Sequence, residues 1–226
     1  MRDHRASQAS HRVGRTTWHA PVDRPGPLAS ISETASRSGA KHALVCDRDG
    51  VIVENRRGYI LRPRHLRLLP GAVGALRLAR AFGALIVIVS NQAAVGHGLL
   101  SEVGAMRLHT RLLGMLMRRG VDVAASFLCP HAPRDRCPCR KPASGMIEEA
   151  LSALALKPAD CFLVGDALTD LMAGRAADLR SGLVLTGRGH EQLASVSEDH
   201  PVFADLEAAA RFAVGLWTSR QVDGPV

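Results

Sequence analysis

Ala43-Leu44-Val45-Cys46-Asp47-Arg48-Asp49-Gly50 decides the fold of this chain. The four apolar residues read as a buried strand, and two carboxylates fall where that strand meets its loop. Residues two apart in an extended chain point to the same side, so Asp47 and Asp49 share one small volume. Gly50 lets the backbone turn sharply after them. Like charges this close repel unless a cation or a shared proton relieves them, and a hard divalent cation such as Mg²⁺ is the natural relief. A plain strand-end turn rich in Asp and Gly is the alternative reading of these residues alone.

Beyond this stretch, apolar runs alternate with helical patterns. Leu85-Ile86-Val87-Ile88-Val89 reads as a second buried strand, 123–128 as a third, Cys161-Phe162-Leu163-Val164 as a fourth and Leu183-Val184-Leu185 as a fifth. Helices are expected over 71–82 after Pro70, over 101–119 with Ser101 as cap and Gly120 as stop, and over 144–154, 168–177 and 205–216. The alternation predicts a three-layer, Rossmann-like α/β fold: a parallel sheet, right-handed crossovers, and helices on both faces. Ligands of such sheets bind at the carboxyl ends of the strands. Asp47, Asp49, Ser90, Asn91, Cys129 and Asp166 all fall there.

The 226 residues suffice for one good core, and 46% hydrophobic with 22% charged residues suits a globular protein. No stretch is apolar for long enough to span a bilayer, and no apolar run follows the N-terminal charges as in a secretory signal. The expected location is the cytoplasm. The net charge is +8, much of it in the first forty residues. These lack aromatic interleaving or a basic helix, so nucleic acid is not expected as a partner. Residues 1–41, rich in Ser, Arg, His, Thr and Pro, read as a disordered basic extension. The folded domain is then 42–218, with a C-terminal tail over 219–226. Short loops and the lack of heptads make a monomer the expectation.

Three of the five cysteines cluster with a histidine in Cys129-Pro130-His131 and Cys137-Pro138-Cys139. Three thiolates and an imidazole complete a tetrahedral zinc site with no open position, which is a structural site. The clip ends just before Arg140 and Lys141, so it would hold those cations in place. Reduced, unrelated thiols are the alternative.

Four groups from distant parts of the chain would meet in one crevice: Asp47 with Asp49, Ser90, Lys141, and Asp166 with Asp170 in Gly165-Asp166-Ala167-Leu168-Thr169-Asp170. Their order resembles the haloacid dehalogenase-like superfamily over about Ala43 to Thr186. The resemblance implies an Asp47 nucleophile that forms an aspartyl-phosphate, with Asp49 as acid and base. It implies Mg²⁺ on Asp47, Asp166 and the backbone carbonyl of Asp49. Ser90 and Lys141 would bind the phosphoryl oxygens, and Asp170 would orient Lys141 or a metal-bound water.

The cysteine clip, Ser90-Asn91-Gln92, Gly58-Tyr59 and Lys141-Pro142 narrow the resemblance. They are similar to the D-glycero-D-manno-heptose-1,7-bisphosphate 7-phosphatases and the related histidinol-phosphatase domains, where a zinc loop stands in for a large cap. The expected function is hydrolysis of a phosphorylated sugar, a heptose 1,7-bisphosphate at C7, with Asn91 and Arg140 holding the rest of the substrate. Histidinol phosphate or another small phosphomonoester is the first alternative, and a non-catalytic zinc-clipped binding protein the second. Val51, Ala94, His97 and Asp178 depart from the usual Thr, Gly, Arg and Gly of the family. Loss of the fixed charge at His97 bears on the substrate rather than on the chemistry.

Overall fold

The computed structural model describes residues 8–13, 16–21, 26–32, 35 and 39–222. Its strands are β1 (Gln8–Val13), β2 (Thr16–Pro21), β3 (Leu28–Ile31), β4 (Ala43–Cys46), β5 (Leu85–Asn91), β6 (Ala125–Cys129), β7 (Cys161–Gly165), β8 (Arg180–Val184) and β9 (Val202–Phe203). They form one sheet in the order β1-β2-β3-β6-β5-β4-β7-β8-β9. From β6 to β9 all neighbours are parallel. The chain runs outward from β4 through β5 to β6, then returns to lay β7 on the other side. That reversal opens a crevice at the carboxyl ends of β4 and β7.

The helices are α1 (Ala72–Ala81), α2 (Ala93–Gly96), α3 (Glu102–Met117), α4 (Gly145–Ala153), α5 (Leu168–Ala176), α6 (Gly189–Gln192) and α7 (Leu206–Val222). Alternation along the strands divides the core in two. Leu44, Cys46, Ile86, Ile88, Phe162 and Val164 face α1, α3 and α7, where they meet Leu76, Leu112, Leu116 and Trp217. Val45, Val87, Val89 and Leu163 face the other way, onto Met146, Ile147 and Ala150 of α4 and Ala173 of α5. The Ser101 hydroxyl caps α3 by accepting the Gly104 N–H at 3.0 Å. No helix among the described residues is long and apolar enough to cross a membrane. Between β4 and α1 the chain makes a short 3-10 turn, Pro63–His65, and isolated bridges at Val53 rather than a cap domain.

The expected parallel sheet with helices on both faces is present, and β1, β2 and β3 extend it antiparallel, with β3 paired to β6. Over its described residues the segment 1–41, expected as a disordered extension, contributes β1, β2 and β3 to this sheet. The physical reason is Trp18. It is fully buried among Leu28, Met106 and Leu128, donates its indole N–H to the Thr110 hydroxyl at 3.0 Å, and meets His109 edge-on. One ring of that size anchors strands whose mostly polar residues show no apolar period. At the other end α7 runs to Val222, so residues 219–222 are helix rather than tail, and 223–226 lie outside the described residues. Trp18→Ala is expected to destabilise the protein by about 3–5 kcal/mol in urea titration. An unchanged midpoint would mean that the first three strands contribute nothing to the fold.

Candidate active site and metal centre

The crevice at the switch point measures about 570 Å³, and Asp47, Asp49, Ser90, Asn91, Arg140, Lys141 and Asp170 line it. Strand β4 ends at Cys46, so Asp47 leaves the sheet with its N–H still bonded to the Val164 carbonyl at 2.9 Å. Lys141 is the centre of the site. Although 3% exposed, its ammonium lies 2.7 Å from Asp47 Oδ1 and 2.6 Å from Asp170 Oδ1, and donates to the Val89 carbonyl at 2.8 Å. Burial works against its charge, but Asp170 and Asp47 outweigh that and raise its pKa. Burial pushes the Asp47 carboxyl upward; Lys141 opposes the shift, while Asp170 and Asp49 add to it.

Asp170 opens α5, where its other oxygen accepts the Ala167 N–H at 3.1 Å. Asn91 exchanges two hydrogen bonds with the Lys141 backbone, donating to its carbonyl at 2.9 Å and accepting its N–H at 3.1 Å. The residue expected to touch substrate thus also holds the lysine loop. Ser90 accepts from Gln92 Nε2 at 3.0 Å, which leaves its own O–H to donate into the crevice.

Carboxylate oxygens of Asp47, Asp166 and Asp170 lie within 4.8 Å of one another. These three carboxylates are the group that could hold a hard cation, with Lys141 already paired to Asp47 and Asp170 and Arg188 to Asp166. The backbone is shaped around Asp166. A Cβ on Gly50 (φ +93°) or on Gly187 (φ +60°) would run into its carboxylate. Oxygen donors and close backbone approach fit a small divalent cation. The Asp49 side chain lies outside this trio and bonds instead to Arg48 and Gln92.

The cysteine clip hangs from the end of β6. Cys129 Sγ lies 3.5 Å from His131 Nδ1 and 3.6 Å from Cys137 Sγ; Cys139 Sγ lies 3.4 Å from Cys137 Sγ and 3.3 Å from His131 Nδ1. These are not disulfides, since all five cysteines are free. A tetrahedral zinc with Zn–S near 2.3 Å has S–S edges of about 3.8 Å, close to what the cluster offers. Hydrogen bonding from Cys139 lowers the Cys129 thiol to about 5 even against burial, while Cys139 is pushed up. A metal bound here would require all three thiols to be deprotonated. The clip bears on the site through Arg140, whose guanidinium donates to the His131 carbonyl at 3.1 Å. It also packs on α2, where a Cβ on Gly96 would strike the Ala132 backbone.

Sequence reasoning assigned no role to Arg48, Gln92 or Arg188. Arg188 bonds Asp166 through its backbone N–H at 2.9 Å and its guanidinium at 3.1 Å. Only the position of Arg48 between the two aspartates pointed towards it. Arg56, Arg57, Tyr59 and His97 line the crevice mouth.

A family model described as HAD-hydrolase-like matches residues 138–209. The D-glycero-beta-D-manno-heptose-1,7-bisphosphate 7-phosphatase of Pasteurella multocida (strain Pm70) is 34% identical over 155 residues, covering 66% of this chain and 84% of the relative. This chain belongs to the HAD-like heptose-bisphosphate phosphatase family. The D-glycero-alpha-D-manno-heptose-1,7-bisphosphate 7-phosphatase of Mycobacterium tuberculosis (strain ATCC 25618 / H37Rv) is also 34% identical, over 188 residues, covering 82% and 97%. Identity therefore does not choose between the anomers. The crystal structure of D,D-heptose 1,7-bisphosphate phosphatase from B. bronchiseptica, complexed with magnesium and phosphate, superposes with a TM-score of 0.73 at 31% identity. It covers 77% of this chain and 98% of that one.

Proposed function

We propose that this chain, a phosphomonoester hydrolase by family, removes the C7 phosphate from a D-glycero-D-manno-heptose 1,7-bisphosphate through an aspartyl-phosphate. The observation that carries this reading is Lys141. It is buried between Asp47 and Asp170, and its loop is bonded to Asn91 and follows the cysteine clip directly. That arrangement supports the reading because it sets a cation beside the Asp47 carboxylate.

Asp47 attacks phosphorus as the bond to the sugar oxygen breaks, and Asp49 gives that oxygen its proton. Asp49 then takes a proton from the water that cleaves the aspartyl-phosphate, restoring both residues. Ser90 and Lys141 hold the phosphoryl oxygens, and Lys141 acts with little solvent to screen it. Mg²⁺, when bound by Asp47, Asp166 and the Asp49 carbonyl, would neutralise charge between the carboxylates and the incoming phosphate. Arg140, with Asn91, faces the remainder of the substrate, where a guanidinium fork suits a second phosphate.

A zinc ion on Cys129, His131, Cys137 and Cys139 would be structural. A strong thiolate chelator is expected to lower both the thermal midpoint and turnover, with recovery on adding back zinc. Turnover that survives full loss of zinc would remove the clip from the function.

The deciding experiment offers both anomers of heptose 1,7-bisphosphate, histidinol phosphate and several sugar monophosphates in the presence of Mg²⁺, and follows released phosphate. Selective turnover of one heptose bisphosphate is expected. Preference for another member of the panel would keep the chemistry and replace the substrate.

A further inference from the structure

Asp49 is held by an unusual pair. Its neighbour Arg48 is 1% exposed, and the guanidinium folds back onto the adjacent carboxylate, Nε to Oδ1 at 2.8 Å and Nη2 to Oδ2 at 2.8 Å. Gln92, 5% exposed, joins the two: its Oε1 accepts from Arg48 Nη2 at 2.9 Å, and its Nε2 donates to Asp49 Oδ2 at 3.2 Å and to Ser90 Oγ at 3.0 Å. A carboxylate has about four lone-pair sites. Three donated bonds fill three of them. One site is left, on a side chain still 24% exposed beside the crevice.

A buried guanidinium costs several kcal/mol to desolvate unless it is paired. In a purely structural pair its partner would be a core acid. Here the partner is a carboxylate of the crevice itself, on the next residue, and the fork fixes the plane of that carboxylate. Gln92 ties the same unit to Ser90. Neither Arg48 nor Gln92 is among the residues that line the crevice, whereas Asp49 and Ser90 are.

We propose that Arg48 and Gln92 are positioning residues. They set the orientation of Asp49 so that its one unfilled site addresses the leaving oxygen. This rests on Asp49 acting as the acid in phosphoryl transfer, though not on which sugar is the substrate. The phosphorus–oxygen bond to the leaving group breaks as Asp47 bonds phosphorus, and the proton passes from Asp49 to the departing oxygen. An alkoxide needs that proton. A nitrophenolate leaves without it.

The test therefore compares two phosphates that the wild-type enzyme hydrolyses: its best alkyl phosphomonoester and p-nitrophenyl phosphate. The quantity read is kcat/KM, which covers steps up to transfer onto Asp47. Asp49→Asn sets the full effect, about 10²–10⁴-fold for a lost general acid. Arg48→Lys, which keeps the charge and loses the fork, is expected to lose at least about tenfold more on the alkyl ester than on the aryl ester. Gln92→Leu is expected to show the same bias, above any equal loss on both esters that arises through Ser90. It also serves if Arg48→Lys folds poorly. In the Asp49→Asn background, Arg48→Lys should add little, because the two act as one unit. Equal losses on the two esters, or full additivity with Asp49→Asn, would overturn the assignment. Failure of the wild type on every heptose bisphosphate would sink the substrate reading alone and leave this comparison intact.

Discussion

Asp47→Asn will cut phosphate release by at least about 10⁴-fold while the protein remains folded, in keeping with the loss of a nucleophile. The amide has nearly the shape of the carboxylate but cannot attack phosphorus. The fold should survive because Lys141 keeps Asp170 at 2.6 Å and the Val89 carbonyl at 2.8 Å, so its charge stays paired. The substitution also removes a carboxylate whose ionisation burial already disfavours. The measurements are phosphate release with the best substrate and the thermal midpoint. Undiminished turnover would end the aspartyl-phosphate mechanism, and a collapsed midpoint would mean that Asp47 is chiefly a structural partner of Lys141.

The second large effect is expected from Lys141→Met. This change leaves Asp47 and Asp170, both nearly enclosed, without their shared cation. Breaking a buried pair by removing one partner costs about 3–5 kcal/mol. Activity should fall with it, since the charge beside the phosphoryl oxygens is gone. The pH dependence has a definite sign. Burial raises Asp47 in the folded state, and losing Lys141 removes the main influence that lowers it. The folded variant then holds protons that the unfolded chain has released, so its stability falls as pH rises above the ordinary carboxylate range. The variant should be relatively more stable near pH 5 than near pH 8, with a steeper trend than wild type. Wild-type stability with a flat pH profile would show that the trio is not coupled as the distances imply.

Much of the parallel core was legible because each strand is short, apolar and closed by a residue with chemistry. Ala43–Cys46 and Cys161–Gly165 fall where their apolar runs predict, and α3 begins at the expected Ser101 cap. The clip was legible because its four donors lie within eleven residues of chain. The failures have physical causes. β1 to β3 are antiparallel strands with a single large apolar anchor, so no period betrayed them. β9 spans two residues and borrows its pairing from β8. The last helix outran its expected end because Trp217, buried against His42 and Phe82, carries the apolar face one turn further. The bonds of Arg48 to Asp49 and of Arg188 to Asp166 depend on how the turns close. Residue spacing does not express that.

The antiparallel strands also bear on solubility. Without β3, the edge of the sheet would be β6, whose five residues Ala-Ser-Phe-Leu-Cys are all buried. An apolar, unpaired strand is a template on which another molecule can add its own. β1 ends the sheet instead, and it presents the exposed Ser10 and Arg12 to water. Trimming the chain at residue 41, which composition alone invites, would strip away this blunt edge. The trimmed protein would retain every group of the crevice and still tend to precipitate.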